Sequence, residues 1–153
     1  MTAFKIPESI LVVIHSADGD VLLIERADHP GFWQSITGSR DALDEPLRVT
    51  CAREVAEETG HIAAPAQFDD WQLTHRYAIY PQWRHRYAPG VTHNTEHVFG
   101  LQVTAPFTPQ LAPREHRAYR WLPWRDAADA CFSWTNAQAI RRLAWRLAAQ
   151  ALR

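Results

Sequence analysis

Three carboxylates, Glu54, Glu57 and Glu58, stand at positions i, i+3 and i+4 of a stretch that reads as a helix. That spacing puts all three on one helical face. Like charges so placed repel and weaken a helix by about 0.2–0.5 kcal/mol per pair. A divalent cation on the face reverses the sign of the interaction. Magnesium takes oxygen ligands at about 2.0–2.1 Å from one or two carboxylates and fills its other positions with water and substrate phosphates. Such a cluster could support metal-assisted attack of water on a phosphate, with a carboxylate accepting the proton. A solvated acidic face is the other reading, and the three carboxylates by themselves leave both open.

The surrounding string separates the two. Gly38, Glu45, Arg53, Glu54, Val55, Glu57, Glu58 and Gly60 occupy the fixed positions of the pattern G-x5-E-x7-R-E-U-x-E-E-x-G-U, where U is apolar. The segment therefore resembles the signature of the Nudix family. It departs from the pattern twice. Six residues instead of five separate Gly38 from Glu45, so Asp44 stands where strict spacing would put the glutamate. His61 follows Gly60 in place of an apolar residue, and Ile62 is expected to take over its packing role. Gly38 is expected to be glycine because its backbone would approach the metal or a phosphate. The resemblance implies Glu54 and Glu58 as metal ligands, Glu57 as a further ligand or catalytic neighbour, and Arg53 as the group that orients the glutamates. It also implies Mg2+ (or Mn2+) as cofactor and hydrolysis of a phosphoanhydride.

Outside this segment the chain is similar, over nearly its whole length, to the branch of the family that removes pyrophosphate from a pterin triphosphate in folate synthesis. The matching stretches include Ser9–Ile14, Phe32–Ser35, Arg84–Thr92, Asn94–Glu96, Glu115-His116 and Ser133-Trp134. The resemblance implies Glu115 as a third metal ligand, supplied from a loop facing the helix. It implies substrate contacts from Lys5, Arg26, Thr37, Tyr77, Ala78, Ile79, Tyr80 and Ser133. The chemistry agrees: Lys5 and Arg26 can meet a triphosphate, Thr37 and Ser133 offer hydroxyls, and Tyr77 or Tyr80 can stack on a flat ring. Period-two alternation along a strand would put Tyr77 and Tyr80 on opposite faces, so at most one of the two is expected to face a ligand unless the strand carries a bulge. Arg84, His85 and Arg86 read as a basic lip or as a solvated loop. Two other functions stay open: a nucleoside triphosphate pyrophosphatase of the dATP or oxidised-dGTP type, and a nucleotide-sensing module without catalysis. The pterin resembles guanine at its pyrimidine edge, whereas a sensing module would be expected to lose carboxylates that are all present here.

The elements that must position these residues are mostly strands. Ile10–Ile14 is a buried apolar run, Asp18-Gly19-Asp20 a turn signal, and Val21–Ile24 the second arm of a hairpin. A short extended piece is expected over Trp33–Thr37, and a helix over Leu47–Thr59, after Pro46 and stopped by Gly60. Trp71–Tyr80, His97–Thr104 and Tyr119–Leu122 read as strands, with Pro81–Asn94 as a loop. Asn136–Leu152 reads as an amphipathic helix with Ile140, Leu143, Ala144 and Leu147 inward. The fold class expected is α+β: the Nudix fold, a mixed sheet between helices in an α/β/α sandwich, one domain over residues 1–153.

Composition narrows the functions. Sixteen basic against seventeen acidic residues give a net charge of −1, which argues against nucleic-acid or membrane-surface binding through excess positive charge. Every basic residue but Lys5 is arginine. Hydrophobic residues make up 46% of the chain, which excludes the disordered class. No apolar run approaches the roughly 20 residues of a membrane span. Cys51 and Cys131 show no metal-type partners and read as small packing residues in a reducing compartment. No histidine spacing suggests a metal site. The protein is expected to be cytoplasmic, a monomer or weak homodimer, acting on a small-molecule triphosphate.

Overall fold

The computed structural model describes residues 3–152. Seven strands form one mixed sheet: β1 (Glu8–Ser16), β2 (Asp20–Arg26), β3 (Trp33–Gln34), β4 (Ile36–Ser39), β5 (Asp69–Ala78), β6 (His93–Val103) and β7 (His116–Pro123). Helix α1 (Leu47–Thr59) lies on one face of the sheet. Helices α2 (Trp124–Ala130) and α3 (Trp134–Ala151) lie on the other. This is the sandwich expected from the sequence.

β1 shows why its sequence is an unbroken apolar run. Ile10, Val12 and Ile14 pack on the α1 side with Val55 and Cys51, while Leu11 and Val13 pack on the α3 side with Ile140 and Leu143. A strand buried on both faces has no polar positions to alternate. Each such side chain contributes roughly 1.5–3 kcal/mol by leaving water. Cys51 is fully buried in the first layer and Cys131 packs against the second, and both are free thiols.

The edges of β1 create the opening for a site. β6 runs parallel to it from Glu8 to Ser16. On the other edge β2 pairs only beside the hairpin turn, His15 opposite Val21, and then leaves to pair with β7 and β3. β4 takes over that edge from Val12 to Ser9. A cleft lies where these strands part.

Several elements differ from the sequence reading. β5 stops at Ala78, so Tyr80 lies beyond the strand and strand alternation does not govern it. A 3-10 turn over Pro81–Arg86 replaces part of the expected loop, and β6 begins at His93. The short α2 was not expected; its buried face is only Ala127 and Ala128, too small to register as an apolar stripe. Gly60 ends α1 as expected, in the left-handed region (φ 76°), its N–H donating to Ala56 O. Ile62, expected to pack, is 81% exposed. His61 packs instead, its ring stacked on Phe107 at 4.7 Å.

Candidate active site

A cleft of about 840 Å³ opens between α1, the ends of β2 and β4, and the turn before β7. Glu54, Glu57 and Glu58 line it together from α1, and Glu115 lines it from the facing turn. Glu58 is 4% exposed, whereas Glu57 and Glu115 reach solvent. Burial, then the charges of Glu54 and Glu115, push the Glu58 carboxyl well above the usual range. Glu54 is pushed up to about 7, mainly by burial and against the pull of Arg53. Among the described residues, Glu58, Glu115 and His116 offer one ligand atom each, all within 4.8 Å of one another. Glu58 Oε2 and both ring nitrogens of His116 are buried without a hydrogen-bond partner. Burial and the nearby Arg26 push the His116 imidazole down to about 4, so the ring is neutral and has a free lone pair to offer. One ring nitrogen of neutral His116, with the Glu58 and Glu115 carboxylates, fits a divalent cation, while the other ring nitrogen carries the proton.

Arg53 ties the helix to the loop before it. Its Nη1 donates to Glu54 Oε1 at 2.8 Å, and its Nη2 donates to Glu45 Oε1 at 3.0 Å and to Ser39 O at 3.1 Å. Glu45 Oε1 also accepts from Thr50 Oγ1 (2.5 Å) and from the Asp41 backbone (3.2 Å). These bonds, those from Arg53 foremost, hold the Glu45 carboxyl down to about 2. Asp44 is exposed, in a turn closed by Glu45 N donating to Ala42 O at 3.1 Å. At Gly38 the structure shows a steric reason for glycine. A Cβ there would collide with the Glu54 carboxylate, so the missing side chain is the space that Glu54 occupies.

A second compartment of about 320 Å³ adjoins the first; Lys5, Arg26, Thr37 and Tyr77 line both. Ala78, Ile79, Tyr80 and Ser133 line the second alone, so the structure brings all eight expected contact residues to one connected space. The Lys5 ammonium lies 5.7 Å from the centre of the Tyr87 ring, and burial followed by Arg86 lowers its pKa to about 8. Arg26 is already engaged, forked onto Asp28 at 2.8 and 2.9 Å and stacked over Trp83 at 4.5 Å. Thr37 Oγ1 accepts from Gln34. Tyr77 OH accepts from Asn94 Nδ2 at 3.0 Å. Tyr80, Trp83 and Phe132 form an aromatic cluster with centroids 5.3–6.4 Å apart. Ser133 caps α3, its Oγ accepting from Asn136 N. Of the basic lip, His85 and Arg86 face the cleft, while Arg84 Nε donates to Ile79 O.

Residues 5–143 match the family model of the NUDIX domain. The chain belongs to the Nudix family. It is 44% identical over 142 residues to the dihydroneopterin triphosphate diphosphatase of Escherichia coli, covering 91% of this chain and 93% of that one. It is 36% identical over 151 residues to the protein of the same name from Haemophilus influenzae, covering 96% and 93%. The solved structure of the E. coli dihydroneopterin triphosphate pyrophosphohydrolase superposes with a TM-score of 0.84 at 42% identity, covering 92% of this chain and 97% of that one. A putative Nudix hydrolase from Listeria monocytogenes shares the fold at 19% identity, with a TM-score of 0.77 over 97% of each chain.

Within this Nudix site, sequence reasoning missed His116. Its one signal was its place beside Glu115; metal-ligand spacing within the sequence could not find it, because Glu58 reaches it from another element. No helix among the described residues is long and apolar enough to cross a membrane.

Proposed function

We propose that this protein hydrolyses 7,8-dihydroneopterin triphosphate to dihydroneopterin monophosphate and pyrophosphate, a step of folate synthesis, with Mg2+ or Mn2+ as cofactor. One observation carries the reading: a carboxylate-lined cleft that continues, past Lys5 and Arg26, into a compartment of about 320 Å³ lined by Tyr77, Tyr80, Trp83 and Phe132. Identity of 44% to the E. coli enzyme over nearly all of both chains supports it.

Glu54, Glu58, Glu115 and His116 are the residues that would hold the metal. A divalent cation bound there would neutralise phosphate charge and lower the pKa of an attacking water. Arg53 fixes the Glu54 carboxylate by a 2.8 Å hydrogen bond, so that this ligand arrives preorganised. Glu57, exposed at the cleft wall and held only by a loose 3.8 Å ion pair with Arg53, is the carboxylate placed to take the water's proton. Lys5, Arg26 and Arg86 line the path of the phosphates, and a triphosphate lying there relieves the mutual repulsion of these cations. Thr37 and Ser133 supply hydroxyls, and Tyr77, Ala78, Ile79 and Tyr80 form the wall against which the ring lies. We read the chain as one domain, acting as a monomer or weak dimer in the cytoplasm; its free thiols suit that reducing compartment.

Steady-state kinetics on dihydroneopterin triphosphate beside dATP, dGTP and its oxidised form tests the reading. The expected result is the highest kcat/KM on the pterin, with phosphorus NMR showing pyrophosphate and a monophosphate. Orthophosphate plus a diphosphate would refute the proposed bond cleavage, and a nucleotide preferred over the pterin would refute the substrate.

A further inference from the structure

Glu96 lies on β6 between Asn94 and Val98, facing the α3 side of the sheet, opposite His75 of β5 and Ser9 of β1. It is 3% exposed, yet it lines the aromatic compartment. Its Oε1 is buried with no hydrogen-bond partner. The neighbouring His75 Nδ1, 3.4 Å away, also lacks a hydrogen bond, while His75 Nε2 is paired with Gln138 Oε1 at 2.6 Å. Asn94 Oδ1, two residues along the same strand face, is buried and unpartnered as well. Asn94 is held in place by its amide, which donates to Ser9 Oγ and Tyr77 OH.

A buried carboxylate at the wall of the compartment, met only by the long 3.4 Å approach of His75 Nδ1, costs folding free energy. A ligand that presents N–H groups would recover it. A carboxylate only accepts, so its partner must present donors side by side. The pyrimidine edge of a 2-amino-4-oxo ring has this pattern, with a ring N–H beside an exocyclic amine. Adenine lacks it, since its ring nitrogen at that edge is an acceptor that would face the carboxylate.

Resting on the pterin reading of the site, we propose that Glu96 is a specificity-determining residue that accepts hydrogen bonds from the N–H and 2-amino edge of the substrate ring. Tyr80, Trp83 and Phe132, which line the same compartment, cover the ring's faces. His75, fixed by Gln138, orients the carboxylate from behind. The aromatic walls would hold any flat ring; the edge contact separates a pterin or guanine from an adenine.

The test is Glu96→Gln, which keeps shape but sets an amide donor against the ring's donors. Sites built to hydrogen-bond a group reject analogues lacking it by about 10⁴–10⁵-fold. Gln keeps one acceptor, so kcat/KM should fall on the order of 100-fold for dihydroneopterin triphosphate and dGTP, chiefly through KM, with dATP within about threefold. An equal fall on all three substrates, or no fall, overturns the proposal. The dGTP-to-dATP ratio reports on Glu96 even if the wild-type enzyme proves not to prefer the pterin, so the two failures are distinguishable. Should Glu96→Gln fail to fold, wild-type enzyme can be inhibited with pterin and with lumazine, whose 2-oxo group replaces the amine. Lumazine should bind on the order of 100-fold more weakly; equal inhibition overturns the proposal.

Discussion

Glu45→Ala beside Asp44→Ala tests which acidic residue of the lengthened loop belongs to the signature. Alanine at 45 removes the acceptor for Arg53 Nη2 (3.0 Å), Thr50 Oγ1 (2.5 Å) and the Asp41 N–H (3.2 Å). A hydrogen bond to a charged group contributes about 1.5–3 kcal/mol, and a neutral one about 1 kcal/mol. Arg53 retains Glu54, Ser39 and Asp41, and its 22% exposure screens the pair. The loss should therefore be about 3 kcal/mol. For a chain of this size that lowers Tm by about 6–12 °C. Asp44, which makes no hydrogen bond among the described residues, should cost under about 0.5 kcal/mol. Urea and thermal unfolding of both variants measures the difference. The pH dependence gives a second readout. The Glu45 carboxyl is depressed to about 2 in the folded protein, from 4.5 ordinarily, chiefly by Arg53. Its stabilisation is thus full above pH 4.5 and fades as the pH falls toward 2, so wild type and Glu45→Gln should differ at pH 6 and converge near pH 2. A larger loss from Asp44→Ala, or a Glu45 difference that grows in acid, refutes the assignment.

Gly38→Ala should lower kcat about 100-fold and cost about 1–3 kcal/mol of stability, because the added methyl displaces Glu54 from Arg53 without requiring an unusual backbone angle; unchanged kinetics with an unmoved Glu54 in a crystal structure of the variant would contradict this. Glu58→Gln should lower turnover by on the order of 100-fold with folding intact, and both it and His116→Ala should weaken Mn2+ binding by calorimetry. Full activity in chelator-treated wild type would sink the metal reading. Deleting Ala42, in the exposed turn before Glu45, should retain a sizeable fraction of activity, since one loop residue changes closure entropy by well under about 1 kcal/mol; kinetics of the deletion variant at saturating substrate measures it.

The layers of the fold were legible because they follow from local periodicity. β1 is apolar throughout and sits between two helical layers; α1 and α3 carry their buried positions at helical spacing. What was illegible lacked a periodic signal. α2 buries two alanines only, and β5 ends at Ala78, one rung before Ile79 N donates to Thr92 O and Pro81 begins a 3-10 turn. His61 shows a limit of substituting by hydropathy: an aromatic ring that stacks on Phe107 fills the apolar position, and the neighbouring isoleucine is left in water.

The site divides along the same line. The α1 carboxylates are read directly because one helix sets their spacing. His116, Glu96 and Asn94 are not, because each gains meaning only from residues far along the chain: Glu58 beside His116, His75 and Gln138 behind Glu96, Ser9 and Tyr77 around Asn94. In a strand of alternating polarity these are ordinary polar positions. The sheet makes them exceptional by burying their acceptors without partners at the wall of a cavity. On the proposed reading the catalytic end and the recognition end are thus built differently: α1 concentrates charge that a cation would neutralise, whereas β6 holds a buried carboxylate that a ring's N–H edge would satisfy. Substitutions on β6 should accordingly change which triphosphate is cleaved, and substitutions on α1 should change how fast any of them is.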